Sequence, residues 1–193
     1  MKKLVFATNN EHKLDEVRSI LQSEFQILSL SDLSCTDEIP ETADTLNGNA
    51  LLKATYIHQK YGFDCFADDT GLEIDALNGE PGVYSARYAG ANQNSADNMC
   101  KVLEKLGDNI HRTAQFRTVI ALIEGEKTSF FEGNIKGNIA RFPRGNNGFG
   151  YDPIFVPENY LVSFAQLSSD EKNKISHRAI AVQKLVQHLK HIH

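Results

Sequence analysis

Cys65-Phe66-Ala67-Asp68-Asp69-Thr70-Gly71-Leu72 is the stretch on which the reading of this chain turns. An apolar run, Cys65 to Ala67, leads directly into two adjacent carboxylates, a hydroxyl and a glycine. Such a run reads as a buried β-strand whose end is acidic. In open α/β sheets, ligands bind beyond the carboxyl ends of strands. Two buried acids side by side cost desolvation and mutual repulsion unless a cation neutralises them. Mg2+ is the hard cation that takes one or two carboxylates and leaves its other positions to water and phosphate oxygens. A second reading fits the same residues: a solvated Asp-Asp turn in which Gly71 supplies an unusual dihedral. On this stretch alone both stand.

Upstream, Leu4 to Ala7 reads as another short buried strand, and Leu14, Val17, Ile20 and Leu21 mark one face of a helix. The polar hexapeptide Thr8-Asn9-Asn10-Glu11-His12-Lys13 therefore lies between a strand and a helix N-terminus. Free N–H groups and the helix dipole make that position attractive to phosphate. Lys13 opposes the dipole there, which makes sense if it faces an anion. A plain capped βα turn is the alternative, since Thr and Asn cap well. A Walker A loop is excluded, because Gly-x-x-x-x-Gly-Lys-Ser/Thr is absent.

Phe25 to Leu30 reads as a second strand, followed by the acidic loop Asp37-Glu38-Ile39-Pro40-Glu41-Thr42. Thr45 is placed to cap a helix carrying Leu46, Ala50, Ala54, Ile57 and Tyr61 toward the core. Lys53 reads as lying off that stripe, projecting sideways or outward, and both it and Glu41 fit solvated surface charges equally well. Leu72 to Leu77 alternates as a half-exposed strand, and Asn78-Gly79 marks a turn. Asn98 to Leu106 reads as helix, and Arg112–Glu124 and Lys127–Ile135 as a β-hairpin turning at Gly125-Glu126. Phe142 to Pro153 mixes turn formers with aromatics and reads as an ordered exposed loop. There Phe149 and Tyr151 are either stackers for a base or core pegs, and Asp152 can accept hydrogen bonds from base N–H groups. Ile154 to Val156 returns as strand. A short helical piece starts at Ser168, and Ser176 is placed as N-cap of a final helix with Ala179, Val182, Leu185, Val186 and Leu189 inward. His177 and Arg178 fall in its first turn, where cations oppose the dipole. They fit ligand contact or a solvated face. His188, His191 and His193 read as solvent-facing.

The chain has 193 residues, net charge −5 and 41% hydrophobic residues, the profile of one globular domain over 1–193 with two lobes. An acidic balance argues against non-specific nucleic-acid binding, so any phosphate must meet a few placed cations. Cys35, Cys65 and Cys100 show no CxxC or Cys/His spacing, which disfavours zinc and disulfide frameworks. The apolar run at the N-terminus is too short for a signal segment or a membrane span, so the expectation is a cytoplasmic protein with no membrane partner.

Five segments, in order, resemble the inosine triphosphate pyrophosphatase family, also called XTP/dITP diphosphatases. They are Ala7-Thr8-Asn9-Asn10 through Lys13, Ala67-Asp68-Asp69-Thr70-Gly71-Leu72, Pro81-Gly82-Val83-Tyr84-Ser85-Ala86-Arg87-Tyr88, Gly148-Phe149-Gly150-Tyr151-Asp152-Pro153 and Ile175-Ser176-His177-Arg178. The resemblance implies an α/β fold: an elongated mixed β-sheet flanked by helices, two lobes with a central nucleotide cleft, as a homodimer. It implies Mg2+-dependent hydrolysis of non-standard purine nucleoside triphosphates (ITP, dITP, XTP) to monophosphate and pyrophosphate. By the same resemblance Thr8, Asn9, Asn10, Glu11, His12, Lys13 and Lys53 would hold the triphosphate. Glu41 and Asp69, helped by Asp68, would hold the metal, and Asp69 would accept the proton of the attacking water. Thr70 would touch substrate, and Phe149, Gly150, Tyr151, Asp152, Lys172, His177 and Arg178 would surround base and sugar. One departure is visible: the family often has Glu-Asn-Ala where this chain has Gly48-Asn49-Ala50. A phosphatase of the haloacid dehalogenase type needs Asp-x-Asp-x-Thr, which Asp68-Asp69-Thr70 does not provide. A nucleotide-binding module without turnover is the rival from another class.

Overall fold

The computed structural model describes residues 2–21, 25–37 and 39–191. Glu38 of the acidic loop and His193 of the histidine tail lie outside them. The fold is α/β, and its strands join one mixed sheet. β1 (Lys2–Phe6) pairs in parallel with β2 (Phe25–Leu28) and with β3 (Cys65–Ile74). The sheet continues from β3 through β5 (Thr113–Glu124) and β6 (Lys127–Ile139) to β7 (Phe155–Pro157), which runs antiparallel to β6. The short β4 (Pro81–Gly82) pairs antiparallel with β3. The helices are α1 (Glu11–Leu21), α2 (Leu46–Tyr61), α3 (Ser95–Leu106), α4 (Ser169–Ile175) and α5 (His177–His191).

The chain divides into two compact units: 1–69, 118–133 and 178–193 in the first, 70–117 and 134–177 in the second. In the first unit the period of two along each strand sends side chains to opposite faces. Leu4 and Phe6 of β1, Phe66 of β3, and Ile120 and Leu122 of β5 meet Leu14, Val17 and Leu21 of α1 with Val182, Leu185 and Leu189 of α5. Their neighbours Val5, Ala7, Cys65, Ala67, Ala121 and Ile123 meet Ala50, Ala54 and Ile57 of α2. The register pair Phe6 and Phe66 stacks with ring centroids 4.6 Å apart. Burial on both faces is why these strands read as unbroken apolar runs.

The second unit has one apolar centre, in which Leu72, Ile74, Phe116, Ile139, Phe155 and Phe164 pack with Val102 and Leu106 of α3. Asn94 caps α3 by accepting from Ala96 and Asp97 N–H, so that helix begins three residues before the periodic apolar pattern announces it. Gly145 adopts φ +85°, and a Cβ there would come within 2.3 Å of the Ala165 carbonyl oxygen. The Phe142–Pro153 loop is thus held against the 164–166 turn, as its ordered character requires.

Two strand boundaries and one side-chain placement read from the sequence are corrected. β2 stops at Leu28 rather than Leu30, because Leu30 starts the 31–33 turn and accepts from Cys35 N–H at 2.9 Å. The strand through Ala67 does not end at the acids: β3 continues through Asp68 and Asp69 to Ile74, so Leu72 to Leu77 is no separate strand. The physical reason is a change of partner, with β1 flanking Cys65 and Phe66 and β4 flanking Leu72 and Glu73. β1 itself ends at Phe6, so beside β3 the carboxyl end of β1 opens next to the two acids. Finally, Lys53 is on the buried face of α2, with Leu46, Asn49, Ala50, Ala54 and Ile57. The 3.6-residue period that carries Leu46, Ala50 and Ile57 inward passes through positions 49 and 53 as well.

Candidate active site

The first unit gathers four carboxylates, Glu16, Glu41, Asp68 and Asp69, against three cations, Lys13, Lys53 and Arg178. Local structure places each of them. Thr8 Oγ1 accepts from Asn10 N–H, and Asn10 Oδ1 accepts from Lys13 N–H at 3.2 Å, which caps α1. The capped turn is therefore real, and Lys13 leaves its first turn to meet Asp68, Nζ to Oδ1 2.9 Å. The anion that Lys13 faces within the protein is a carboxylate.

Arg178, 1% exposed, donates through Nε and Nη2 to Asp68 Oδ2 at 3.2 and 3.3 Å and through Nη1 to Glu16. A cation in the first turn of a helix is tolerated here because two carboxylates outweigh the dipole. Thr45 Oγ1 caps α2 by accepting from Gly48 N–H at 3.0 Å. From α2, Lys53 pairs with Glu41, and its Nζ stands 3.9 Å from Asp69 Oδ1. Asn49, to which the sequence reading gives no role, donates through Nδ2 to Asp69 Oδ2 at 3.1 Å. The inward helical position and the poor helix propensity of Asn were the available signals for it.

The proton affinities of the adjacent acids are driven in opposite directions. Burial pushes both upward. At Asp68 the neighbouring Lys13, Arg178 and Lys53 outweigh that penalty and hold its pKa far below the usual carboxylate range. At Asp69 burial prevails over Lys53 and Lys13, with Glu41 adding repulsion, and its pKa is raised. Glu41 goes the other way: Lys53 overcomes burial and keeps its pKa low. Lys13 is lowered, chiefly by burial.

The second unit holds the other polar group. Asp152 Oδ2 accepts from Lys172 Nζ at 2.7 Å and from Phe149 N–H at 2.8 Å. Lys172 also lies 4.9 Å from the Phe149 ring centroid, a cation–π contact. Gly148 has φ +73°, and a Cβ there would fall 2.1 Å from Asp152 Oδ2, so only glycine lets this turn close on the acid. Tyr151 is a core peg, 5% exposed, with its hydroxyl donating to the Ser85 carbonyl at 2.7 Å. Phe149 is half-buried. His177 stacks on Phe116, centroids 4.6 Å apart. Thr70 and Gly150 are half-buried.

A model of the Ham1 family matches residues 4–188. The chain belongs to the Ham1 family. A Flavobacterium johnsoniae relative named dITP/XTP pyrophosphatase is 58% identical over 184 residues, covering 95% of this chain and 96% of its own. A Porphyromonas gingivalis relative of the same name is 56% identical over 186 residues, 96% of each chain. Among solved structures, the Staphylococcus aureus Ham1 protein matches with TM-score 0.90 at 40% identity over the whole of both chains. A HAM1 protein from Coxiella burnetii gives 0.90 at 41% identity over 99% of this chain and 100% of that one.

In this Ham1 chain the triphosphate-loop residues Asn9, Asn10, Glu11 and His12 are exposed, while Thr8 and Lys13 are half-buried. Lys13, Lys53, Glu41, Asp68, Asp69 and Arg178 come together in the first unit; Phe149, Asp152 and Lys172 come together in the second. A Cβ on Gly48 would lie 2.5 Å from the Ala43 Cβ. The loop bearing Glu41 thus packs against α2 where a longer side chain would begin. Among the described residues no helix is long and apolar enough to cross a membrane.

Proposed function

We propose that this chain hydrolyses non-standard purine nucleoside triphosphates (ITP, dITP and XTP) to the monophosphate and pyrophosphate, as a cytoplasmic homodimer that uses Mg2+. The observation that carries this reading is the buried cluster in which Asp68 meets Lys13 and Arg178 while Asp69 stands beside Lys53, the partner of Glu41, in a chain 56–58% identical to proteins named dITP/XTP pyrophosphatase. Neighbouring acids whose proton affinities are driven apart mark a division of labour. Asp68 stays ionised and serves as the counter-charge that holds Lys13 and Arg178. Asp69 is the acid with raised proton affinity, suited to accept a proton from the attacking water.

Asp69 and Glu41 fit a divalent ion. Both are carboxylates, and they share Lys53. No group of three or more His, Cys, Asp or Glu among the described residues is placed to hold a metal. Mg2+ ordinarily takes one or two carboxylates and completes its shell with water and substrate phosphate. When bound it would screen the phosphoryl oxygens and make its water more acidic. Lys13 and Lys53 would meet the negative charge of the polyphosphate. In the second unit, Asp152, Lys172 and Phe149 supply polar and aromatic contacts for the purine. A site that pairs with the 6-oxo and N1–H edge leaves buried groups unpaired when adenine enters, which costs orders of magnitude in rate.

The test is a substrate panel. The purified protein with Mg2+ should release pyrophosphate from ITP, dITP and XTP and little from ATP. Orthophosphate as the first product rejects the cleavage position; binding without turnover rejects the enzyme. Sedimentation at micromolar concentration tests the dimer.

A further inference from the structure

Asn49 is a fully buried amide on a helix face shared with Leu46, Ala50, Lys53, Ala54 and Ile57. Asn is a poor helix former and a buried amide is costly unless both ends are hydrogen-bonded. Both ends are. Nδ2 donates to Asp69 Oδ2 at 3.1 Å, and Oδ1 accepts from Ala43 N–H at 2.9 Å. The orientation of the amide is dictated by its partners, because a backbone N–H only donates and a carboxylate only accepts. Ala43 lies two residues after Glu41, and its Cβ approaches the place where a Cβ of Gly48 would be. One side chain therefore ties the orientation of Asp69 to the loop that presents Glu41. Lys53, one helical turn further along α2, bears on the same two acids.

We propose that Asn49 is a positioning residue for the hydrolysis, locking the Asp69 carboxylate and the Glu41 loop into one arrangement; this rests on the functional reading above. Asn suits the position through donor, acceptor and length together. Asp would turn an acceptor toward Asp69, and Leu fills similar space with neither bond. Groups that orient metal-ligating carboxylates typically affect metal affinity or activity by about 10–100-fold.

The experiment compares the parent with Asn49→Leu and Asn49→Asp. Mn2+ binding to the nucleotide-free protein is read by electron paramagnetic resonance, kcat and KM from pyrophosphate release with ITP and Mg2+, and folding from the urea midpoint. For Asn49→Leu the expected result is a kcat lower by about 10–100-fold and Mn2+ affinity lower by about 10-fold, with KM for ITP near the parental value. A merely structural residue would shift the urea midpoint and leave kcat and Mn2+ affinity of the folded fraction alone. Parental kcat and Mn2+ affinity in folded Asn49→Leu overturn the proposal. If that variant does not fold, Asn49→Asp, which keeps the shape, is read by the same criteria. A parent that releases no pyrophosphate from ITP overturns the functional reading instead, and the Mn2+ comparison still decides the role of Asn49.

Discussion

Replacing Arg178 by Met probes the charge network most directly. The guanidinium is 1% exposed and bonds both Asp68, itself 2% exposed, and Glu16. Met keeps the length and apolar character of the stem but removes every donor. Removing one partner of a buried ion pair costs about 3–5 kcal/mol, because a charge stays buried without its counter-charge. Lys13 remains on Asp68, which argues for the lower end, about 3 kcal/mol. For a chain of this size, 3–5 kcal/mol corresponds to a fall in Tm of about 6–20 °C. The pH dependence has a definite sign. In the parent the folded pKa of Asp68 is depressed, by Lys13, Arg178 and Lys53 against burial. Its stabilisation is thus complete above the unfolded value near pH 4 and is lost as pH falls through the lower folded value. Without Arg178 the folded pKa rises. The gap between parent and variant should then be full at pH 7.5 and narrow on acidification, as Asp68 of the variant takes up a proton before that of the parent. Urea unfolding at pH 7.5 and pH 4.5, with an unchanged m-value, measures both quantities. A loss under about 1 kcal/mol at pH 7.5, or a gap that widens on acidification, would refute the account. Arg178→Lys should recover little, since an ammonium cannot span both carboxylates.

Other outcomes follow from the same geometry. Asp69→Asn should lower kcat on ITP by about 10²–10⁴-fold while raising the urea midpoint at pH 7.5. The folded pKa of Asp69 is raised by burial, so its ionised form is penalised above that pKa, and the gain should vanish near pH 3.5. A lower midpoint at pH 7.5 would contradict this. Gly148→Ala places a Cβ 2.1 Å from Asp152 Oδ2 at φ +73°; it should raise KM for ITP and leave Mn2+ binding at the first unit unchanged. Lys172→Met removes the partner of a buried Asp152 and should cost about 3–5 kcal/mol in urea unfolding. Iodoacetamide on the native protein at pH 8 should label exposed Cys100 alone, because Cys35 and Cys65 are buried and burial pushes the Cys65 thiol up to about 12. Native labelling of Cys65, seen by mass spectrometry, would show that its surroundings open.

What the amino-acid sequence determined without help is what depends on near neighbours. The alternation that sends Leu4 and Phe6 to one face and Val5 and Ala7 to the other is written in β1. The cap at Thr45, the Asn78-Gly79 turn with both residues at positive φ, and the hairpin at Gly125-Glu126 need only a few residues each. So does the chemistry of the motifs, because adjacent acids are adjacent in any fold. Tertiary structure alone decided which acid carries which cation. Lys13 reaches Asp68 across 55 positions and Arg178 reaches it across 110. Such partners meet only because β1 and β3 lie side by side and α1 and α5 cover one face of them. That arrangement makes Asp68 a fixed counter-ion and leaves Asp69, its neighbour in sequence, with a raised proton affinity. A backbone that alternates faces gives adjacent residues opposite surroundings, and surroundings set charge.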